Sequence, residues 1–314
     1  MNTGQLVVRR SARAFGSVLL VLILVFLALR MVPGDPAILI LGEQARASDI
    51  ERFRESTHLD ESFPRQLQFY LAEIFDGSLG RPYANYFDAP TVSSLLADRL
   101  PYTLELALAA LFIACLIAFP LGILAAMRPR SIFDRSVLGF SLLGVAIPTF
   151  WLGPMLLYVF AVQLSWLPGP AVPISGPAHL ILPAFTLGLA MSGKLVRFIR
   201  AGVLETRGEE YVRVARAKGV SGIRLTLRHI LPGALIPVIT LMGVQLATLI
   251  GGTIVVEQVF ARPGIGRLLM EGILARDYNV VQGCVLLIAT GYVVVHFLVD
   301  LIYAWIDPRV ELQA

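Results

Sequence analysis

An all-α protein that crosses a membrane several times is what this sequence predicts, and three observations carry that reading. Hydrophobic residues make up 56% and charged residues 15% of the chain, against roughly 25% charged in soluble domains, and the mean hydropathy is +0.74. The apolar residues gather in runs of about 20, the length of a helix that spans a bilayer. Lys and Arg alternate from loop to loop: segments 1–13, 128–136, 194–228 and 307–314 hold 16 together, while 35–100, 165–177 and 257–279 hold 6, 0 and 3. An excess of cations in short loops marks the cytoplasmic side, so six transmembrane helices with cytoplasmic N- and C-termini are expected. The net charge of +4 follows that topology and implies membrane lipid as a partner, not nucleic acid.

The elements follow in order. Residues 1–34 hold a tail with Arg9, Arg10 and Arg13 and a first helix over Phe15 to Val32. A cleaved signal peptide is the competing reading, but the apolar run is long for one and Ala28-Leu29-Arg30 is a poor cleavage site. Pro33-Gly34-Asp35-Pro36 breaks this helix. Residues 35–100 carry 11 Asp and Glu against 6 Lys and Arg, which suits an external segment. Within it Ser48 to His58, capped by Ser48, and Pro64 to Phe75 are expected helices, and Gly77 to Asn85 is a loop.

Residues 101–306 hold five further helices. The second span runs from Leu100 to about Met127 and carries Glu105 near its end, where tolerance and function are both open. The third covers Val137 to Leu164, with Pro148 and Pro154 as kinks that neighbouring helices can accommodate. Ser165 to Pro177 is an outer loop in which Trp166 reads as an interfacial anchor. The fourth starts near His179 and ends among Lys194, Arg197, Arg200 and Arg207, which share one arc and snorkel to inner lipid phosphates. The fifth is Ile230 to Val256, whose polar members include Thr240, Gln245, Thr248 and Thr253. Polar side chains in a span face other helices or a water-filled path, so Gln245, Thr248, Thr253 and Glu257 are candidate path residues; plain interhelical hydrogen bonds are the competing role for each. The sixth spans Val280 to Ile306, where His296 and Asp300 are spaced to hydrogen-bond. Residues 307–314 form a cytoplasmic tail. Cys115 and Cys284 lie inside apolar runs and read as small buried residues. No His, Cys and carboxylate cluster has metal-ligand spacing, so no metal and no cofactor is expected in this chain.

The longest stretch after residue 100 that could not sit in lipid is 205–237. Glu209 to Lys218 has good helix formers for about three turns. Tyr211, Val214 and Ala215 share one face, and Arg213 and Arg216 lie away from it. Ala215 and Ala217 are small enough for another surface to approach closely. Gly219 is a natural stop, and Ser221 can cap the helix that enters the next span. A basic loop that only fixes topology is the alternative.

Glu210-Tyr211-Val212-Arg213, Ala215-Arg216-Ala217-Lys218-Gly219 and Arg228-His229-Ile230-Leu231-Pro232 closely resemble the EAA loop of ABC-importer permeases, in the form found in the dipeptide, oligopeptide and nickel subfamily. Pro33 to Pro36, Leu100 to Leu106, Phe119 to Gly122, Ile147 to Leu152, Glu257 to Tyr278, Asp300-Leu301 and Asp307 to Arg309 are similar to family segments as well, although Arg262 stands where an aromatic is more usual. The resemblance implies a type I importer permease with an EAA coupling loop over 205–232. Its short helix seats in a groove of an ATP-hydrolysing subunit, and the carry-over falls on Glu210, Tyr211, Ala215, Ala217 and Gly219. Implied partners are a second homologous permease, two ABC ATPase subunits that bind the ATP and Mg, and an extracytoplasmic solute-binding protein. Implied substrates are dipeptides or oligopeptides, with glutathione and nickel chelates as alternatives. The chain itself is not expected to be an enzyme.

Two rival classes lack support in the residues. A stand-alone secondary transporter calls for repeats and mid-membrane ionisable groups, and neither is clear. A membrane enzyme calls for clustered nucleophiles or bases. Gly188 to Lys194 fits the start of a phosphate loop, but Leu195 replaces the Mg-binding hydroxyl and no strand precedes it.

Overall fold

A computed structural model describes residues 3–306 apart from 43, 84–85, 87–88 and 171–175, without the side chains of 3–12, 14, 15, 250 and 300–306. The tail at 307–314, the Asp300 side chain, Arg9 and Arg10 therefore lie outside the described residues, as does part of the loop expected over 165–177. All regular structure described is helical. The chain divides into two compact units, one drawn from Met1–Thr103 and Pro263–Gly291, the other from Leu104–Arg262 and Tyr292–Ala314.

In the first unit, α1 (Thr3–Met31) ends where Pro33 and Gly34 break it, Gly34 having φ +116°. Asp35 then caps α2 (Pro36–Leu41), its Oδ1 accepting the Ala37 N–H at 2.9 Å. Arg54 forms an ion pair with the other oxygen of Asp35. Two helices follow, α3 (Ala47–Ser56) and α4 (Phe63–Phe75). Ser48 is not the cap of α3: Asp49 N–H already bonds the Arg46 carbonyl at 2.9 Å, so the helix starts at Ala47 and the cap position falls on Arg46, two residues before Ser48, without a side-chain cap. Small clusters hold this unit together, Phe26 stacked on Tyr70 and Phe53 edge-on to Tyr83. The expected start of the second span is also corrected. Helix α5 (Val92–Met127) opens eight residues before Leu100, because Val92 and Leu96 lie one turn apart and bury one face.

The second unit is built around α8 (Ala178–Thr206), which packs against α6 (Ile132–Ala146), α7 (Thr149–Leu156) and α11 (Leu231–Gly252). Helix α7 runs on as a π-helical turn over Leu157–Gln163. Between α8 and α11 stand α9 (Glu210–Ala217), α10 (Gly222–Leu225) and a π-helical turn at Thr226–Ile230. The chain closes with α12 (Ile254–Val259), α13 (Ile265–Leu274) and α14 (Tyr278–Ile306). Contact across α8 is close because the facing residues are small: Ala110, Ala114 and Ala118 of α5 are fully buried, and a Cβ at Gly188 would stand 2.8 Å from the Ala110 carbonyl oxygen.

Among the described residues four helices are long and apolar enough to cross a membrane, and the bent pair Ile132–Ala146 and Thr149–Gln163 makes a fifth if taken as one span. The pair bends by 99° at Pro148, which cannot donate to the helix ladder. The apolar part of α1 is shorter, Gly16–Met31. Length and composition thus give four to five spans, and the expected sixth rests on that shorter stretch.

Candidate functional site

Helix α9 is short, and its end is fixed by backbone geometry. Gly219 N–H bonds Arg216 O at 3.0 Å and Val220 N–H bonds Ala215 O at 3.1 Å, the paired bonds of a Schellman stop. The stop needs a left-handed residue, and Gly219 has φ +85° with nothing within 4 Å of the Cβ position. Val220 packs back on the buried core that includes Ala215. Ser221 occupies the start of α10 as expected, but its side chain makes no capping bond.

The wheel of α9 needs one correction. The buried residues are Val212 and Ala215, at 0% and 8% exposure, whereas Tyr211 and Val214 stand 49% and 52% exposed. The apolar stripe read from the sequence is therefore split. Ala215 turns inward beside Val212, and Tyr211 and Val214 face out. Glu210, Ala217 and Gly219 are exposed on the same short element. Ile223 and Leu227, 73% and 54% exposed, extend the apolar surface toward α11. Tyr211 also touches the entry of α11: a Cβ at Gly233 would meet its Oη at 2.7 Å.

Arg200 is the second correction. Its Nε donates to Asp134 Oδ1 at 2.5 Å and its Nη2 to Oδ2 at 2.8 Å. Asp134 also accepts the Arg130 N–H at 2.8 Å, and its own N–H bonds the Ser131 hydroxyl that caps α6. Arg200 therefore ties the end of α8 to the start of α6 instead of reaching for lipid. A bidentate carboxylate matches the guanidinium fork. Lys194 remains exposed.

The structure does not gather the four candidate path residues into one site. Gln245, Thr253 and Glu257 are buried. Thr253 Oγ1 donates to Glu257 Oε1 at 3.0 Å, and the Glu257 carbonyl accepts the Arg262 N–H at 2.8 Å. Gln245 Nε2 is buried without a hydrogen-bond partner. Thr248 stands on the exposed face of α11, its hydroxyl bound to Val244 O at 2.8 Å. Glu105 is paired, accepting from Arg262 Nη2 at 2.7 Å. The departure of Arg262 from an aromatic thus goes with a carboxylate on α5. Gly188 and Gly193 of the decoy motif lie inside α8, pressed against the Ala110 and Ser141 carbonyls, so the motif is a packing surface.

Residues 118–312 match the family described as the binding-protein-dependent transport system inner membrane component, and residues 4–107 match its N-terminal partner family. The chain belongs to this family. It is a multi-pass permease subunit of an ABC importer in the bacterial inner membrane, and it is not an enzyme. It is 40% identical over 98% of both chains to a Brucella abortus protein provisionally named a peptide transport system permease. It is 38% identical, over 97% of this chain and 98% of the relative, to the glutathione transport system permease protein GsiC of Escherichia coli K12. The inward-facing methionine ABC transporter MetNI matches at TM-score 0.56 and 22% identity, over 68% of this chain and 97% of that one. An amino acid ABC transporter matches at TM-score 0.51 and 17% identity, over 69% and 95%. At those identities the two structures establish the fold alone.

Proposed function

We propose that this permease subunit imports dipeptides or oligopeptides, coupled through α9 to ATPase subunits on the cytoplasmic side. The peptide class is supported by relatives named for peptide and for glutathione, itself a tripeptide, at near full coverage. Glutathione is the second reading on the same ground. The importer would contain a second homologous permease, two ABC ATPases holding ATP and Mg, and an external solute-binding protein. The observation that carries the coupling role is the outward apolar pair Tyr211 and Val214 on a helix whose other face is buried through Val212 and Ala215. An apolar face left uncovered on so short an element fits a partner's groove.

Closure of the ATPases on nucleotide would displace α9 and, through Tyr211 and Gly233, the entry of α11. That is a two-state equilibrium biased by a partner's ligand. Glu210, Ala215, Ala217 and Gly219 shape the seat. Gln245, Thr253 and Glu257 are the candidate contacts to cargo in the span, with Thr248 on the exposed face of the same helix.

The test is co-purification and transport. The wild-type chain, extracted in detergent, is expected to bring two nucleotide-binding chains with it. Tyr211→Ser with Val214→Ser is expected to lose them and to lose transport while the chain still inserts. Full retention of both would remove the coupling assignment. Mass spectrometry of the ligand held by the cognate binding protein decides between peptide and glutathione.

A further inference from the structure

The first unit holds a small polar chamber that the import cycle just described does not use. It lies among Arg30 of α1, Tyr70 and Glu73 of α4, Tyr83, and Asn279 and Gln282 at the start of α14. Tyr70 is 6% exposed and Gln282 1%, yet Tyr70 Oη and Gln282 Nε2 have no hydrogen-bond partner. Two orphaned polar atoms on one small cavity are uncommon, because a buried unsatisfied group costs about 1–3 kcal/mol. The space open to a water-sized sphere is about 20 Å³, more than the roughly 10–15 Å³ that one water requires. Glu73 reaches the same place: a Cβ at Gly80 would meet Glu73 Oε2 at 2.9 Å and Asn279 Nδ2 at 2.7 Å.

We propose that this chamber is a hydrated proton-binding site, in which one water bridges Tyr70 Oη and Gln282 Nε2 to the Glu73 carboxyl and Glu73 gains and loses a proton in the folded protein. The water satisfies both orphans at once, accepting from the amide and exchanging a hydrogen bond with the phenol. The proton comes from and returns to solvent. Among the described residues the groups that act on the Glu73 carboxyl include no cation. Arg30 is engaged elsewhere, its Nε on Gln66 Oε1 at 2.5 Å and its face on the Phe26 ring at 3.5 Å. The Arg81 guanidinium acts on Tyr86, and the His58 ring is stacked on Phe69. The nearby acids oppose ionisation or are occupied: Asp76 sits one turn along α4 and binds the Ser78 N–H, and Asp277 binds Tyr83 N–H and Val280 N–H. The phenols of Tyr70, Tyr83 and Tyr86 are neutral, their deprotonation opposed by burial. Burial first, and the Asp76 charge second, push the Glu73 carboxyl up to about 7.

The sign follows from linkage. A carboxyl whose value is raised on folding stabilises the protonated form, so its contribution is complete below the ordinary carboxylate range and is lost as pH rises through about 7. Alkaline conditions place a charge beside two buried dipoles and loosen α4 from the start of α14.

The experiment is hydrogen exchange on the assembled transporter in lipid nanodiscs, corrected for intrinsic rates. Between pH 6 and pH 8 the protection of 63–75 and 278–286 is expected to fall up to about tenfold, and Glu73→Gln is expected to abolish that dependence. Tyr70→Phe keeps the ring on Phe26 and is expected to raise the midpoint, because a donor to the carboxylate is lost. A high-resolution map of the same complex is expected to show density between Tyr70 Oη and Gln282 Nε2. A flat wild-type profile, an unchanged profile in Glu73→Gln, an unmoved midpoint in Tyr70→Phe, or a dry cavity each overturns the proposal.

Discussion

A methyl group added at Gly193, in the middle of α8, would run into the Ser141 carbonyl and stand 3.0 Å from Val145 Cγ2. The same group at Gly219, just after α9, would touch nothing within 4 Å, but the backbone there has φ +85°. Both are glycines in the second unit, and each is required for a different reason. In the bundle glycine removes bulk so that helices can approach. After the short helix it supplies a left-handed turn. Each difference extends to its surroundings. Around Gly193 the neighbours Met191, Leu195 and Val196 are buried, whereas beside Gly219 the apolar Tyr211 and Val214 lie in the open. The bundle buries its apolar side chains, and α9, proposed above as the coupling helix, leaves two of its own exposed.

That contrast can be broken or sharpened by substitution. Gly193→Leu, for which there is no space, is expected to abolish accumulation in the membrane, read by immunoblot of the membrane fraction; Gly193→Ala is expected to cost about 1–3 kcal/mol in detergent unfolding. Arg200→Met leaves Asp134, 3% exposed, without its bidentate partner. The expected cost is about 1.5–3 kcal/mol, moderated because Arg200 is itself 21% exposed, and Asp134→Leu in the same chain is expected to recover part of it. Gly219→Ala has room and pays only for the left-handed backbone, about 1–2 kcal/mol. Gly219→Asn is expected to cost less than Gly219→Val, because Asn tolerates that conformation; equal losses would mean that space, not backbone, is the constraint. Smallest in stability is Tyr211→Ser, within about 0.5 kcal/mol for a surface change. It is nonetheless expected to lower ATP-coupled uptake more than any of the others that still fold. If it lowers stability as much as Gly193→Ala, the division between bundle and coupling helix does not hold.

Much of the site was legible because local chemistry specified it. The stop at Gly219 follows from a helical run ending in glycine, and the break at Pro148 from a residue with no N–H to give. The split of the α9 stripe was not legible. Tyr211, Val214 and Ala215 form one face by periodicity alone, and only the helix they pack against decides which edge is covered. The burial of Val212 is hidden for the same reason, although its spacing of three from Ala215 is a usable signal. Arg200 shows a similar limit. It lies 66 residues from Asp134, and nothing near either residue announces the pair. The chamber around Tyr70, Glu73 and Gln282 brings together residues up to 252 positions apart, Arg30 to Gln282, each unremarkable alone.

By itself the sequence determined the helical class, the apolar runs, the cation asymmetry between loops, and the short helix that ends at a glycine. These are properties of neighbours along the chain: hydropathy over about 20 residues, the dihedral freedom of glycine, the missing donor of proline. Tertiary structure decided which face of α9 is left bare, that Asp134 and not lipid holds Arg200, that Gly188 and Gly193 are packing surfaces, and that two polar atoms share a small cavity with Glu73. Burial and long-range pairing depend on what another helix presents across a few ångströms, and that is set only when the chain has folded.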